Sequence, residues 1–212
     1  MYWHKTNLII KRFWPEFEWD IATAPPKTLY LTFDDGPIPS VTEFVLEELE
    51  KHQAKATFFC VGNNIEKNPH IFEKVLAAGH RIGNHTFNHL NGWNTPDEVY
   101  FENVEACQKQ LAPYNLATSD GKQLFRPPYG RLTTMQAQIL RPYYRLIMWD
   151  VLTADFDHTL SKEKCLRRSI QHTENGSIVV FHDSLKAERN LRYVLPRYLT
   201  YFGRAGYKFA TL

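Results

Sequence analysis

The sequence predicts an α/β fold on a mainly parallel sheet, and three features predict it. Short apolar runs alternate with longer helical stretches along the chain. Several of those runs end abruptly in Asp, His or Arg, and in parallel barrels chemistry gathers at the C-terminal ends of several strands. Finally, 212 residues, 43% of them hydrophobic and 23% charged, suit one soluble domain with a sizeable core.

The elements follow in order. Residues 1–27 form a lead, aromatic and Pro-rich over 12–26, expected to pack across the barrel's bottom or side. The first strand, 29–33, is the apolar run Leu29-Tyr30-Leu31-Thr32-Phe33, which feeds into two acids and a Gly-Pro break. A helix at 40–52 has Ser40 as N-cap. After a strand at 56–61, a helix at 69–78 is stopped by Gly79. The strand at 81–84 leads to a helix at 95–111, with Thr95 as N-cap, Pro96 as first residue and Pro113 ending it. A polar loop at 115–123 is placed on the rim. Strands at 124–126, 144–150, 177–182 and 207–210 then alternate with helices at 133–140, 161–172 and 187–202.

The strand ends carry the chemistry. Asp34 and Asp35 are adjacent carboxylates, which repel each other and are most easily tolerated where a cation or an acid–base task uses them. Asp and Gly are also ordinary turn residues, so this stretch alone also fits a solvated turn. His85 and His89 lie four apart, and imidazole suits zinc and related metals. Thr86 stands where a zinc-protease helix carries Glu, which argues against that class. Either Asp34 or Asp35 could be the third ligand. Arg126 precedes a double proline, the segment 148–155 brings Asp150 and Asp155, and a β-branched run ends in His182-Asp183.

These stretches resemble the five motifs of the NodB-homology polysaccharide deacetylases, carbohydrate esterase family four. The motifs occur in order: Thr32 to Pro37, His85 to His89, Arg126 to Gly130, Trp149 to Asp155, and Val180-Phe181-His182. The resemblance covers residues 28–212, which it makes the catalytic domain. Seven strand candidates fit this family's distorted, incomplete (β/α) barrel better than a full eightfold one. The resemblance assigns Asp35, His85 and His89 to a divalent metal, Zn on ligand type with Co, Mn or Ni as alternatives. It makes Asp34 the general base held by Arg126, and His182 the general acid supported by Asp155. Pro127, Tyr129, Phe156 and Val180 become substrate contacts, with the Tyr129 N–H facing the oxyanion and Phe156 and Val180 walling the acetyl methyl. Leu152, Phe156 and Val180 depart from the family's usual residues.

The implied activity is acetyl removal from N-acetylated sugars of a chitin-like or peptidoglycan-like glycan. A small acylated amine, O-acetylated xylan and non-catalytic glycan binding are the alternatives. A net charge of +2 points to neither nucleic acid nor membrane, and no apolar run approaches the ~20 residues of a transmembrane helix. The first twelve residues do not read as a secretory signal. Cys60, Cys107 and Cys165 are an odd set without metal spacing, as in a reducing compartment. Together these features imply a cytoplasmic location, in tension with a family that works mostly on envelope or extracellular glycans. The sequon at Asn84 is read as accidental, and Trp93 as a candidate sugar-stacking ring.

Overall fold

A computed structural model describes residues 3–114 and 116–212. Met1 and Tyr2 of the lead, and Asn115 of the expected rim loop, lie outside the described residues. Seven parallel strands curl into a distorted, incomplete barrel: β1 (Thr28–Asp34), β2 (Ala56–Cys60), β3 (Arg81–Asn84), β4 (Gln123–Phe125), β5 (Tyr144–Leu146), β6 (Val151–Leu152) and β7 (Ile178–His182). Their order is β5-β4-β3-β2-β1-β7-β6, and a short β8 (Lys208–Phe209) adds beside the start of β1. The helices are α1 (Leu8–Phe13), α2 (Val41–Lys51), α3 (Gly62–Lys67), α4 (Pro69–Ala77), α5 (Asp97–Leu111), α6 (Thr134–Leu140), α7 (Lys162–His172) and α8 (Glu188–Arg204).

β1 is the axis of the sheet. All seven of its residues are buried, as expected of a parallel strand covered on both faces. Phe33 stacks on Phe58 and Phe181, with ring centroids 5.0 and 5.6 Å apart. The same register sets Asp34 opposite His182 on one side and Phe59 on the other. A continuous apolar ladder therefore ends in two facing titratable groups.

The expected strand at 144–150 is not one strand. β5 pairs with β4, the chain then bends away, and β6 pairs with β7. The two sheet edges are thus consecutive pieces of one segment, bent to reach both neighbours: the Ile147 N–H still bonds Phe125 O at 2.8 Å, while the Asp150 N–H bonds Ile178 O at 3.0 Å. The lead runs along this bend on the barrel's side, bridging antiparallel at Lys5–Val151, parallel at Glu18–Ile147 and antiparallel at Asp20–Ser177.

α5 starts at Asp97 with Pro96 at the cap position, so Thr95 is not its N-cap. The Thr95 hydroxyl instead donates to Asn91 O, closing the preceding turn. Gly79 follows α4 with φ +72°, a conformation that glycine adopts without strain. α1 and α3 have only six residues each, too short to show helical periodicity in the sequence. Among the described residues no helix is long and apolar enough to cross a membrane.

Candidate active site

The C-terminal mouth of the barrel concentrates unusual backbone. Five non-glycine residues there have positive φ: Asp35 (87°), Thr86 (61°), His89 (57°), Tyr129 (61°) and Ala154 (58°). Such conformations cost on the order of 1–3 kcal/mol each and persist where the surroundings hold them. They fall in four different strand-end loops, so packing from several elements maintains them.

Those loops bring Asp35, His85 and His89 together, with one ligand atom from each lying within 4.8 Å of the others. Asp35 Oδ1 is 3.2 Å from His89 Nε2 and 3.9 Å from His85 Nε2. That oxygen is buried without a hydrogen-bond partner among the described residues. The His85 Nδ1 lies 2.7 Å from Arg126 O, which can only accept, so Nδ1 carries the proton and Nε2 keeps its lone pair toward Asp35. Burial lowers the His85 pKa to about 4, which keeps the ring neutral as a ligand must be. Burial would raise the Asp35 carboxyl, but contact with His89 and the positive charge of nearby His182 lower it overall. Two imidazoles and a carboxylate with an orphaned buried oxygen fit a divalent cation.

Two acid–base pairs flank this cluster. Arg126 is fully buried and donates through Nη1 to Asp34 Oδ1 at 2.7 Å and Thr32 Oγ1 at 2.6 Å. Its other nitrogens bond Met148 O and Ile147 O, and the guanidinium lies 4.2 Å from the centre of the Phe59 ring. Asp155, also fully buried, accepts from His182 Nδ1 at 2.8 Å and from the His182 N–H at 2.9 Å. Burial alone would lower the His182 pKa, but the facing Asp155 carboxylate raises it to about 9, with smaller help from Asp35 and Asp34.

Asp34, Asp35, His85, His89 and His182 open onto one cleft of about 590 Å³. Trp149, Leu152, Phe156 and Val180 supply its apolar wall, and Tyr129 closes one side with its ring 4.7 Å from that of His89. Arg126 and Asp155 stand behind Asp34 and His182 rather than in the cleft. Pro127 is buried beneath the loop and does not line it. Trp93 is 61% exposed but lies outside the lining, where it bonds Leu132 O and stacks with Arg131. Asp150 sits away from the cleft, among the lysines of the lead. The Asn84 side chain is fully buried on Val104 O, which closes that sequon to a glycan. Asn91, Arg131, Ser184 and Lys186 line the cleft without having been singled out in the sequence. Arg131 directly follows a motif segment, and Asn91 and Ser184 each lie two residues past one, the one signal that marked them.

The sequence profile described as polysaccharide deacetylase matches residues 22–143, more than half of the chain. The chain belongs to the polysaccharide deacetylase family. It is thereby a member of the hydrolases that act on carbon–nitrogen bonds other than peptide bonds. A peptidoglycan-N-acetylglucosamine deacetylase of Bacillus cereus is 30% identical over 188 residues, 88% of this chain and 86% of that protein. A chitooligosaccharide deacetylase of Azorhizobium caulinodans is 33% identical over 162 residues, 76% of each. The crystal structure of the Bc1960 peptidoglycan N-acetylglucosamine deacetylase superposes with a TM-score of 0.83 at 27% identity, covering 94% of this chain and 93% of the other.

Proposed function

We propose that this polysaccharide deacetylase removes the acetyl group from N-acetylglucosamine units of a peptidoglycan-like or chitin-like glycan, releasing acetate. The observation that carries the reading is the convergence, in one cleft, of the Asp35–His85–His89 cluster with two differently backed groups, Asp34 on Arg126 and His182 on Asp155. Asp35, His85 and His89 hold a divalent ion, zinc by ligand type. When bound, that ion supplies Lewis-acid activation of water and of the acetamide carbonyl.

Asp34 takes the proton of the attacking water, and Arg126 holds its side chain in one orientation. His182 protonates the departing nitrogen, because an amine leaves poorly without a proton. Asp155 accepts from the other ring nitrogen, so the proton to be delivered sits on Nε2. The Tyr129 N–H hydrogen-bonds the developing oxyanion. Phe156 and Val180 hold the acetyl methyl, and the other apolar walls exclude water around it.

Compartment goes with substrate: in the cytoplasm the enzyme meets soluble acetylated fragments, at the envelope the polymer, and cell fractionation decides. The direct test is acetate release, with and without chelator, from chitin oligomers, peptidoglycan fragments and acetylated xylan. Chelator-sensitive release from the first two supports the reading. Release from xylan alone, or no release by metal-loaded protein, overturns it.

A further inference from the structure

One buried acid near the cleft has no place in that mechanism. Asp183 follows His182 and is fully buried. Its N–H donates to Asp34 O at 3.1 Å, carrying the β1–β7 pairing one step beyond the strands. Its Oδ1 accepts from the Gly36 N–H at 3.1 Å, and its Oδ2 accepts from the Thr42 hydroxyl at 2.6 Å. Thr42 Oγ1 in turn accepts from the Ile38 N–H at 2.8 Å. One carboxylate therefore grips both sides of the turn that follows Asp35.

The fit leaves no slack. A Cβ on Gly36 would lie 1.9 Å from Asp183 Oδ2, so glycine is needed there for close approach. Asp35 itself has φ +87°, a strained setting that needs an outside hold. On the far side of the turn the holds are neutral: Asn64 Nδ2 to Asp35 O at 2.7 Å and Asn68 Nδ2 to Pro37 O at 3.2 Å. Asp183 is the acidic hold: burial pushes its carboxyl up to about 8 in the metal-free protein, and among the described residues no cation pairs with it. A buried carboxylate met only by neutral donors is costly unless positive charge lies near. Asp34 is already matched by Arg126, so a divalent ion on Asp35, His85 and His89 leaves one positive charge that Asp183 balances.

We propose that Asp183 is a positioning residue for the metal centre, pinning the turn through Gly36 and Thr42 so that Asp35 presents its ligand oxygen to His85 and His89. This rests on the proposed metal site. The test is the dissociation constant for Zn²⁺ and Co²⁺, read by competition against a chromophoric chelator at 20 °C, with unfolding of the metal-free proteins followed in parallel. Asp183→Asn keeps the shape and the Gly36 bond but loses the charge and, with an amide NH₂ in place of Oδ2, can no longer accept from the Thr42 hydroxyl, and weakens binding about 10–100-fold. Thr42→Val, which keeps the carboxylate, weakens it less, and Thr42→Ser restores it. At saturating metal KM for acetylated oligosaccharide stays unchanged, since Asp183 does not line the cleft. Wild-type affinity in folded Asp183→Asn overturns the proposal, whatever its thermal stability. If Asp183→Asn does not fold, equal affinity of Thr42→Val and Thr42→Ser overturns it instead. Absence of metal binding by the wild type removes the metal-site reading itself, and this proposal with it.

Discussion

Asp150 and Asp155 lie five residues apart on either side of β6, and both are buried, yet they serve different regions. Asp150 sits on the barrel's side, where Lys5 and Lys11 each reach it at 2.6 Å and Ser177 donates at 2.5 Å. Lys5 also bonds His172 O and Glu174, and Lys11 also bonds Asp20, so Lys5, Lys11 and Asp150 each have several partners. Asp155 sits at the mouth, where among the described residues His182 is its one ionic partner. At the same mouth Asp35, on strained backbone, carries a buried oxygen with no hydrogen-bond partner among the described residues. The side closes its charges among themselves; the mouth leaves them for something that arrives. Two acids of one segment thus part ways through their surroundings, not their type.

The largest expected effects lie at the mouth. Asp34→Asn and Asp35→Asn remove one charge each at nearly constant shape. Asp34→Asn is expected to keep most of its metal and lose about 10²–10⁴-fold in turnover, with no rescue by added metal. Asp35→Asn is expected to lose metal on dialysis and recover some activity in excess metal, since mass action refills a weak site. Metal content and acetate release against added metal measure both; a reversed pattern swaps the two roles. His182→Ala is expected to keep metal and fold, and to cost amide turnover about 10²–10⁴-fold. An activated acetyl ester, whose leaving group needs little protonation, is expected to lose less. Equal losses on both substrates exclude His182 as the leaving-group acid.

On the side of the barrel the same kind of change is expected to act on stability. Asp150→Asn leaves Lys5 and Lys11 facing each other with only Glu174 and Asp20 as counter-charges. The expected loss is about 2 kcal/mol, a fall in unfolding midpoint of about 4–8 °C. Turnover per folded molecule at 20 °C is expected to stay at the wild-type level. A drop in turnover without a drop in midpoint would erase the distinction between the two regions.

The sequence carried the mouth better than the side. A buried parallel strand needs a continuous apolar run, so its end is abrupt and the charged residues just past it stand out, as at Asp34, Arg126 and His182. The side had no such edge. Its bend at 147–150 is made by ordinary apolar residues, Ile147 and Met148, whose types suit an unbroken strand equally well. α3 reads Gly-Asn-Asn-Ile-Glu-Lys, with one large apolar residue and no period to detect. Asp183 was visible as a residue but not as a partner of Gly36, because that contact joins positions 147 apart in sequence. Which of Asp34 and Asp35 faces the histidines was likewise open in the sequence. The left-handed turn at Asp35 and the placement of Arg126 beside Asp34 separate them in space.

The smallest expected effect, and the one that bears most closely on Asp155, is a shift in pH dependence. In the metal-free protein the Asp155 carboxylate raises the His182 pKa from 6.5 to about 9. A raised folded-state pKa contributes stability that is fully present below 6.5 and is lost as pH rises through about 9. The metal-free wild type is therefore expected to lose unfolding midpoint across that window, and Asp155→Asn to lose less, since an amide supports the imidazolium weakly. The same sign governs catalysis: the acid must be protonated, so turnover falls as pH climbs past its pKa. A bound divalent ion opposes the rise, so the alkaline limb of the loaded enzyme is expected below about 9. Asp155→Asn is expected to move that limb to lower pH, with a smaller loss at the optimum than His182→Ala. Coincident alkaline limbs for the two proteins would show that Asp155, like Asp150, serves only to hold the barrel together.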